Sequence, residues 1–149
     1  MGAAARIFSL FVIAFAAIAC SSAGKWGGAA VSPAVDGNWR PDVPAMLAEP
    51  AIKAELERGD AAAREKFLRY LRTVRLDIRG SRIRGGTRRN PSPWFRFRVI
   101  RSGRDYLVIR YQVKKEFAPA TVRLDLIGVN RLRFKEVENK DAPPLSFKR

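Results

Sequence analysis

The sequence predicts a mainly β domain with some helix (α+β), an antiparallel up-and-down meander of about 7–8 strands that forms a small barrel or half-barrel. Three observations predict it. Apolar and polar residues alternate along most of the chain after Thr73, and short turns containing Gly or Asn separate the alternating runs. Helical periodicity is confined to an insert over residues 43–73. The 149 residues suffice for one domain of ordinary size.

The first predicted strand is Gly37-Asn38-Trp39-Arg40, and Pro41 ends it. A helical pair follows. Pro50 suits the first turn of one helix and Gly59 closes it, whereas Asp60 can cap the second helix. The apolar residues of the second helix recur at helical spacing and define one face: Ala63, Phe67, Tyr70, Leu71 and Val74.

After Thr73 the period of the apolar residues becomes two, which is typical of strands with one buried and one solvated face. Gly80-Ser81 and Ser102-Gly103 are tight-turn candidates, and residues 85–93 form a polar loop. The expected inward residues include Leu76, Ile78, Ile83, Phe95, Phe97, Val99, Leu107, Ile109, Tyr111, Val113, Val122, Leu124, Leu126, Leu132, Phe134, Leu145 and Phe147. Closing such a meander removes its exposed edges.

The composition excludes several kinds of chemistry. The chain has 29 basic and 14 acidic residues, no histidine and one cysteine. Nucleophiles activated by histidine, histidine-ligated metals and disulfides within the chain are therefore excluded. Asp77 and Asp125 lie among arginines on solvated faces, which suits cross-strand ion pairs better than acid catalysis. The sequence thus predicts a non-enzymatic protein with no catalytic residues, metal site or cofactor.

The first residues look like an export signal. A short basic stretch precedes Ile7 to Ala19, an apolar run of 13 residues. A membrane-spanning helix needs about 20 apolar residues, so the run is too short for an ordinary anchor. Residues 1–19 are accordingly predicted to be a signal peptide with small residues before its cleavage site.

Cys20 stands at the end of this segment. Ala17-Ile18-Ala19-Cys20 resembles the lipobox of bacterial lipoproteins, with Ala17 where leucine is usual. The resemblance implies that Cys20 is acylated and becomes the mature N-terminus. Ala17-x-Ala19 also satisfies the rule for ordinary signal cleavage, so a secreted, soluble periplasmic protein is the alternative.

Residues 20–36 comprise the lipidated cysteine and a Gly-, Ala- and Ser-rich segment that is typical of a flexible tether. The resemblance to lipoproteins implies a lipid anchor in the bacterial cell envelope. Ser21 after the cysteine implies, by the same resemblance, the outer membrane, with the domain facing the periplasm. Residues 37–149 are expected to form the domain.

Two short motifs resemble the ends of a lipocalin-like (calycin) barrel. Gly37-x-Trp39 opens the first strand, and Phe147-x-Arg149 ends the last one. In that superfamily a late basic side chain packs over the tryptophan, so the resemblance implies a barrel-closing contact between Trp39 and Arg149. The helical pair after the first strand is similar to that of the fatty-acid-binding branch. The resemblance further implies an apolar or amphipathic ligand, such as a lipid. The alternative to this resemblance is that Trp39 is an ordinary residue of the hydrophobic core.

The segment from Arg69 to Arg104 contains twelve arginines and one acidic residue, Asp77. Seven of these arginines are expected to cluster on adjacent strands and their loop: Arg82, Arg84, Arg88, Arg89, Arg96, Arg98 and Arg101. Guanidinium groups so placed suit an anionic partner. The alternative is a merely arginine-rich composition, since the chain has 21 arginines and 8 lysines.

Two functional hypotheses follow. In the first, an envelope lipoprotein uses a lipocalin-like domain to bind an apolar or amphipathic ligand, or serves as an interaction module. In the second, a basic scaffold docks onto anionic envelope polymers (lipid headgroups, lipopolysaccharide) or onto a protein complex. Nucleic acid is not an expected partner, because an exported chain does not meet it in the cytoplasm. In addition, Phe95 and Phe97 occupy inward-facing positions of their strand, so they are not expected to stack on bases.

Overall fold

The computed structural model describes residues 35–149, in which eight strands form a closed antiparallel barrel in sequence order. The predicted meander barrel is confirmed. The strands are β1 (Gly37–Pro41), β2 (Leu76–Arg79), β3 (Arg82–Arg84), β4 (Phe95–Ser102), β5 (Tyr106–Tyr111), β6 (Ala120–Ile127), β7 (Arg131–Glu136) and β8 (Leu145–Lys148). The barrel closes because β1 pairs with β2 through Gly37–Trp39 and with β8 through Arg40 and Pro41.

Helices α1 (Val43–Ala48), α2 (Pro50–Arg58) and α3 (Ala61–Thr73) connect β1 to β2. The predicted helical pair corresponds to α2 and α3, and α1 is an additional short helix. Asp60 caps α3 as expected, since its Oδ1 accepts a hydrogen bond from the amide of Ala63 at 2.6 Å. None of the helices within residues 35–149 is long and apolar enough to cross a membrane.

The inward faces of the strands and the buried faces of the helices share one apolar cluster. Large side chains from opposite sides of the barrel are completely buried, among them Trp39, Phe97, Tyr111 and Phe147. The helices add Met46, Ile52 and Leu71 to the same cluster. The apolar residues of the alternating pattern therefore form the core, as predicted. Most charged residues of the strands lie at outward positions.

One end of the barrel, called here the terminal end, brings together the start of β1, the chain beyond β8, and two turns. Asp36 accepts two hydrogen bonds there, one from the amide of Gly80 to its Oδ1 and one from Arg149 Nη2 to its carbonyl oxygen, each of 3.1 Å. The amide of Arg149 donates to the carbonyl oxygen of Asn130 at 3.1 Å. The β2–β3 and β6–β7 turns thus flank the point where the chain enters the barrel.

The opposite, helical end carries the three helices and the β3–β4, β5–β6 and β7–β8 loops. The predictions for the signal peptide (1–19), for Cys20 and for nearly all of the tether lie outside the described residues.

Candidate functional site

Trp39 and Arg149 meet at the terminal end. Trp39 is completely buried, and its Nε1 donates to the carbonyl oxygen of Val35 at 2.9 Å. The guanidinium carbon of Arg149 lies 4.7 Å from the centre of the Trp39 ring, so this exposed arginine covers the buried indole. The contact joins the first strand to the chain beyond β8. A guanidinium over an indole stabilises by about 0.5–2 kcal/mol.

Gly37 has a backbone requirement beside this contact. Its φ is +143°, a conformation that side chains with a Cβ rarely adopt. An added Cβ would lie 3.7 Å from Nε of Arg149, which is ordinary van der Waals distance. The backbone conformation, more than lack of space, therefore selects glycine at this position.

The outer surface of strands β2, β3 and β4 carries three arginines in one row, called here the arginine face: Arg79, Arg82 and Arg96. The register places Arg79 directly opposite Arg82, and Arg82 directly opposite Arg96. All three are exposed. Directly opposite residues have Cβ atoms about 4.5–5.5 Å apart, and like charges in such pairs repel. The row therefore concentrates positive charge at a cost to folding.

Arg79 belongs to this row although the expected cluster did not include it. A two-residue hairpin turn at Gly80-Ser81 places the residues that flank it opposite each other, and these are Arg79 and Arg82. The turn was predicted, so the pairing could have been derived from it. A further like-charged pair, Arg98 and Arg110, lies on β4 and β5, and Arg110 Nε donates to Thr121 Oγ1 at 3.2 Å.

Arg84 differs from its neighbours because it is neutralised. Its Nε lies 2.7 Å from Oδ2 of Asp77, the residue directly opposite on β2. Its guanidinium also covers the ring of Trp94 at 4.6 Å, and that of Arg79 lies 5.7 Å from the same ring. The Trp94 ring thus contacts the guanidinium of Arg79 at the edge of the arginine face.

The remaining expected residues do not join this row. Arg88 and Arg89 are exposed in the β3–β4 loop, where the amide of Arg88 donates to the carbonyl oxygen of Thr73 at the end of α3. Arg101 is exposed on β4, opposite Val108. The structure therefore spreads the seven expected arginines over a row, a loop at the helical end and the far part of β4.

Arginines on the other side of the barrel have acidic partners. Arg123 lies 2.8 Å from Asp125, Arg131 lies 3.6 Å from Asp42, and Arg133 lies 3.3 Å from Glu49. Within residues 35–149, by contrast, the arginine face has no carboxylate at ion-pair distance. Each of the three arginines on β6 and β7 is therefore paired with a carboxylate, whereas the three arginines of the arginine face are not.

The two predicted cross-strand ion pairs have different outcomes. Asp77 pairs across the strands with Arg84, as expected. Asp125 pairs with Arg123 of its own strand, although Arg133 stands directly opposite it. That prediction was wrong for Asp125, because Arg133 reaches Glu49 after α1 instead.

A small acidic group lies at the helical end. Glu136 follows the inward parity of Leu132 and Phe134 on β7 and is half-buried. Burial raises the pKa of Glu136, and the nearby Glu138 carboxylate raises it further. Burial also raises the pKa of Tyr111 well above its ordinary value, and both glutamates add to that effect. The pKa of each group therefore lies above that of the free side chain.

Neither metal-ligating side chains nor comparison with known proteins identifies a further functional site in residues 35–149. Within residues 35–149, no group of three or more His, Cys, Asp or Glu side chains could hold a metal ion. The closed eight-strand antiparallel barrel is compatible with a calycin-like barrel. Comparison of the chain with protein-family models and with curated proteins finds no match.

Proposed function

We propose that the protein is a non-enzymatic, lipid-anchored envelope protein whose barrel is an interaction module that binds anionic groups of the envelope through the arginine face. One observation carries the proposal. Arg79, Arg82 and Arg96 stand opposite one another on adjoining strands without an ion pair to any described residue, whereas arginines around β6 and β7 are paired.

The physical argument concerns repulsion and its relief. Three guanidinium groups at cross-strand spacing destabilise the free barrel. An anion that bridges two of them relieves this repulsion and gains charge-assisted, forked hydrogen bonds. A phosphate or carboxylate group suits this geometry, and phosphates occur in both lipid headgroups and lipopolysaccharide. The contrast between the unpaired row and the paired arginines of β6 and β7 favours a specific role over a merely arginine-rich composition.

The cellular part of the proposal rests on the sequence. The apolar run before Cys20 supports export. The resemblance of Ala17-Ile18-Ala19-Cys20 to a lipobox supports acylation of the cysteine. We place the protein by this argument at the outer membrane, facing the periplasm. Ordinary cleavage to a soluble periplasmic protein is the alternative.

A charge-matched comparison tests the binding proposal. One variant replaces Arg79, Arg82 and Arg96 with Gln. The control replaces Arg123, Arg131 and Arg133 with Gln and therefore has the same net charge. Binding to lipopolysaccharide and to inorganic polyphosphate is measured at several salt concentrations, and circular dichroism checks that both variants fold. The two ligands distinguish an outer-membrane glycolipid from phosphate in general.

We expect the arginine-face variant to lose about tenfold or more in affinity and to show a weaker salt dependence, while the control loses much less. Equal losses in the two variants would show that only net charge matters, which would overturn the proposal.

A second candidate function is binding of an apolar or amphipathic ligand at the helical end. Exposed Phe117 on the β5–β6 loop favours it, because it stands at the same end as the inward-facing Glu136. Native mass spectrometry of the purified full chain tests it. A copurifying lipid that is lost in a Phe117→Asp variant would support this candidate, and a ligand-free spectrum would count against it.

A further inference from the structure

Two large apolar side chains are exposed at the terminal end of the barrel, one on the last residue of β6 and one in the β6–β7 turn. Val129 is 76% exposed and Ile127 is 52% exposed. Such turns usually contain Gly, Asn, Asp, Pro or Ser. Gly128, with a φ of +66°, and Asn130 meet that expectation, whereas Val129 places an apolar side chain in water where the fold does not require one.

The same turn is joined to the point where the chain enters the barrel. The amide of Arg149 donates to the carbonyl oxygen of Asn130, and its guanidinium donates to the carbonyl oxygen of Asp36. Cys20 precedes Val35 by 15 residues. Fifteen residues span at most about 50 Å. A lipid on Cys20 would therefore keep this end of the barrel within reach of the bilayer that holds it.

Basic side chains surround the apolar turn. Arg131 follows it and is exposed, with its Nε 3.6 Å from Oδ2 of Asp42. Arg104 is exposed on the β4–β5 turn, which borders β6 because the carbonyl oxygen of Asp105 accepts from the amide of Leu126 at 2.8 Å. On the other side of Asp36, Arg79 and Arg82 flank the β2–β3 turn. An apolar tip with arginines around it matches the interface of an anionic bilayer, which has acyl chains below and phosphates at the surface.

We propose that the barrel docks with its terminal end on the anionic surface of the bilayer that holds its own lipid, and that Ile127 and Val129 enter the interfacial layer. This inference rests on the proposed acylation of Cys20 and names the bilayer as the anionic partner at this end. The single acyl-bearing residue and the docked turn then act as two attachments, which together hold a protein more firmly than either one.

Site-specific fluorescence tests this orientation in the full chain. Because Cys20 is the only cysteine, Val129→Cys adds one thiol, and an acylated Cys20 does not react with a thiol-specific fluorophore. The labelled, acylated protein is incorporated into vesicles of phosphatidylcholine and phosphatidylglycerol. The matched control is Val137→Cys, an exposed position (47%) at the helical end.

We expect a blue-shifted emission at position 129 and quenching by spin-labelled lipid, with neither effect at position 137. Vesicles of phosphatidylcholine alone should reduce the quenching, because the arginines then lack anionic headgroups. Water-like emission at position 129, or equal quenching at both positions, would overturn the docking proposal.

A second variant measures how much the apolar side chains at the turn contribute to docking on the bilayer. With the label at Ile127→Cys, Val129→Asp is expected to lower the ratio of docked to undocked protein about tenfold. Val137→Asp has the same charge change and should leave that ratio unchanged. Equal effects of the two aspartates would contradict an apolar contact at the turn.

Labelling stoichiometry separates the two proposals. Two fluorophores per chain would show that Cys20 carries no acyl group, which contradicts the lipid anchor. One fluorophore per chain without quenching at position 129 leaves the anchor in place and rejects the docking alone.

Discussion

The guanidinium of Arg149 lies 4.7 Å from the ring of Trp39, so a residue beyond the last strand covers a buried residue of the first strand. The same arginine binds the carbonyl oxygens of Asp36 and Asn130. One side chain and its backbone therefore tie together the three chain segments that meet at the terminal end.

A double-mutant cycle on Trp39 and Arg149 measures this contact. Trp39→Ala should cost about 3–5 kcal/mol because it empties part of the core. Arg149→Ala should cost about 0.5–2 kcal/mol. We expect the double variant to lose less than the sum, since each single variant already removes the shared contact. Urea unfolding gives the three values, and strict additivity would contradict the contact. Trp39→Leu, which removes the aromatic ring but leaves a smaller cavity than alanine does, serves if the alanine variant does not fold.

Backbone conformation predicts different outcomes at two glycines. Gly37→Asn should destabilise the barrel by about 1–3 kcal/mol, because a φ of +143° is strained for any residue with a Cβ. Gly80→Asn should cost less than about 1 kcal/mol, because a φ of +55° is a left-handed conformation that asparagine tolerates. Nothing lies within 4 Å of a Cβ at Gly80. Thermal unfolding compares them, and equal losses would contradict the backbone argument.

The extent of burial predicts which ion pair stabilises the fold. The side chain of Asp77 is 13% exposed in its pair with Arg84, whereas Glu65 is 72% exposed in its pair with Arg69. Asp77→Asn should cost about 1–2 kcal/mol. Glu65→Gln should cost about 0.3–0.5 kcal/mol because water screens that pair. A Glu65 variant as damaging as the Asp77 variant in urea unfolding would refute this ranking.

The raised pKa of Glu136 predicts a pH dependence. Its carboxyl holds a proton more firmly in the folded barrel than in the unfolded chain, where its ordinary pKa is 4.5. As pH rises from 4.5 through the raised pKa, the folded state retains the proton longer, so its contribution to stability falls. Glu136→Gln removes this loss. The variant should therefore gain stability relative to the wild type toward neutral pH and show no gain below about pH 4.5. Parallel stability curves for the two proteins would contradict the assignment.

Local patterns predicted much of this molecule. The alternation after Thr73 gave the inward residues correctly, because the side-chain period of a strand depends only on local geometry. Pro50, Gly59 and Asp60 predicted the limits of α2 and the start of α3 by the same kind of local rule. The short α1 was missed, since six residues have little periodicity and this helix depends on packing.

The distribution of ion pairs could not be predicted from local pattern. Arg131 and Arg133 find Asp42 and Glu49 more than eighty positions away in the sequence. Such partners depend on how the chain closes into a barrel and where α1 lies. The sequence could therefore predict that arginines face outward, but not which of them would lack an acidic partner.

The most direct test of anion binding at the arginine face is nuclear magnetic resonance of the ¹⁵N-labelled protein during titration with inorganic polyphosphate. We expect saturable shifts of the side-chain Nε–H signals of Arg79, Arg82 and Arg96, and small shifts for Arg123, Arg131 and Arg133. Equal shifts in both groups, or larger shifts in the second group, would contradict the account.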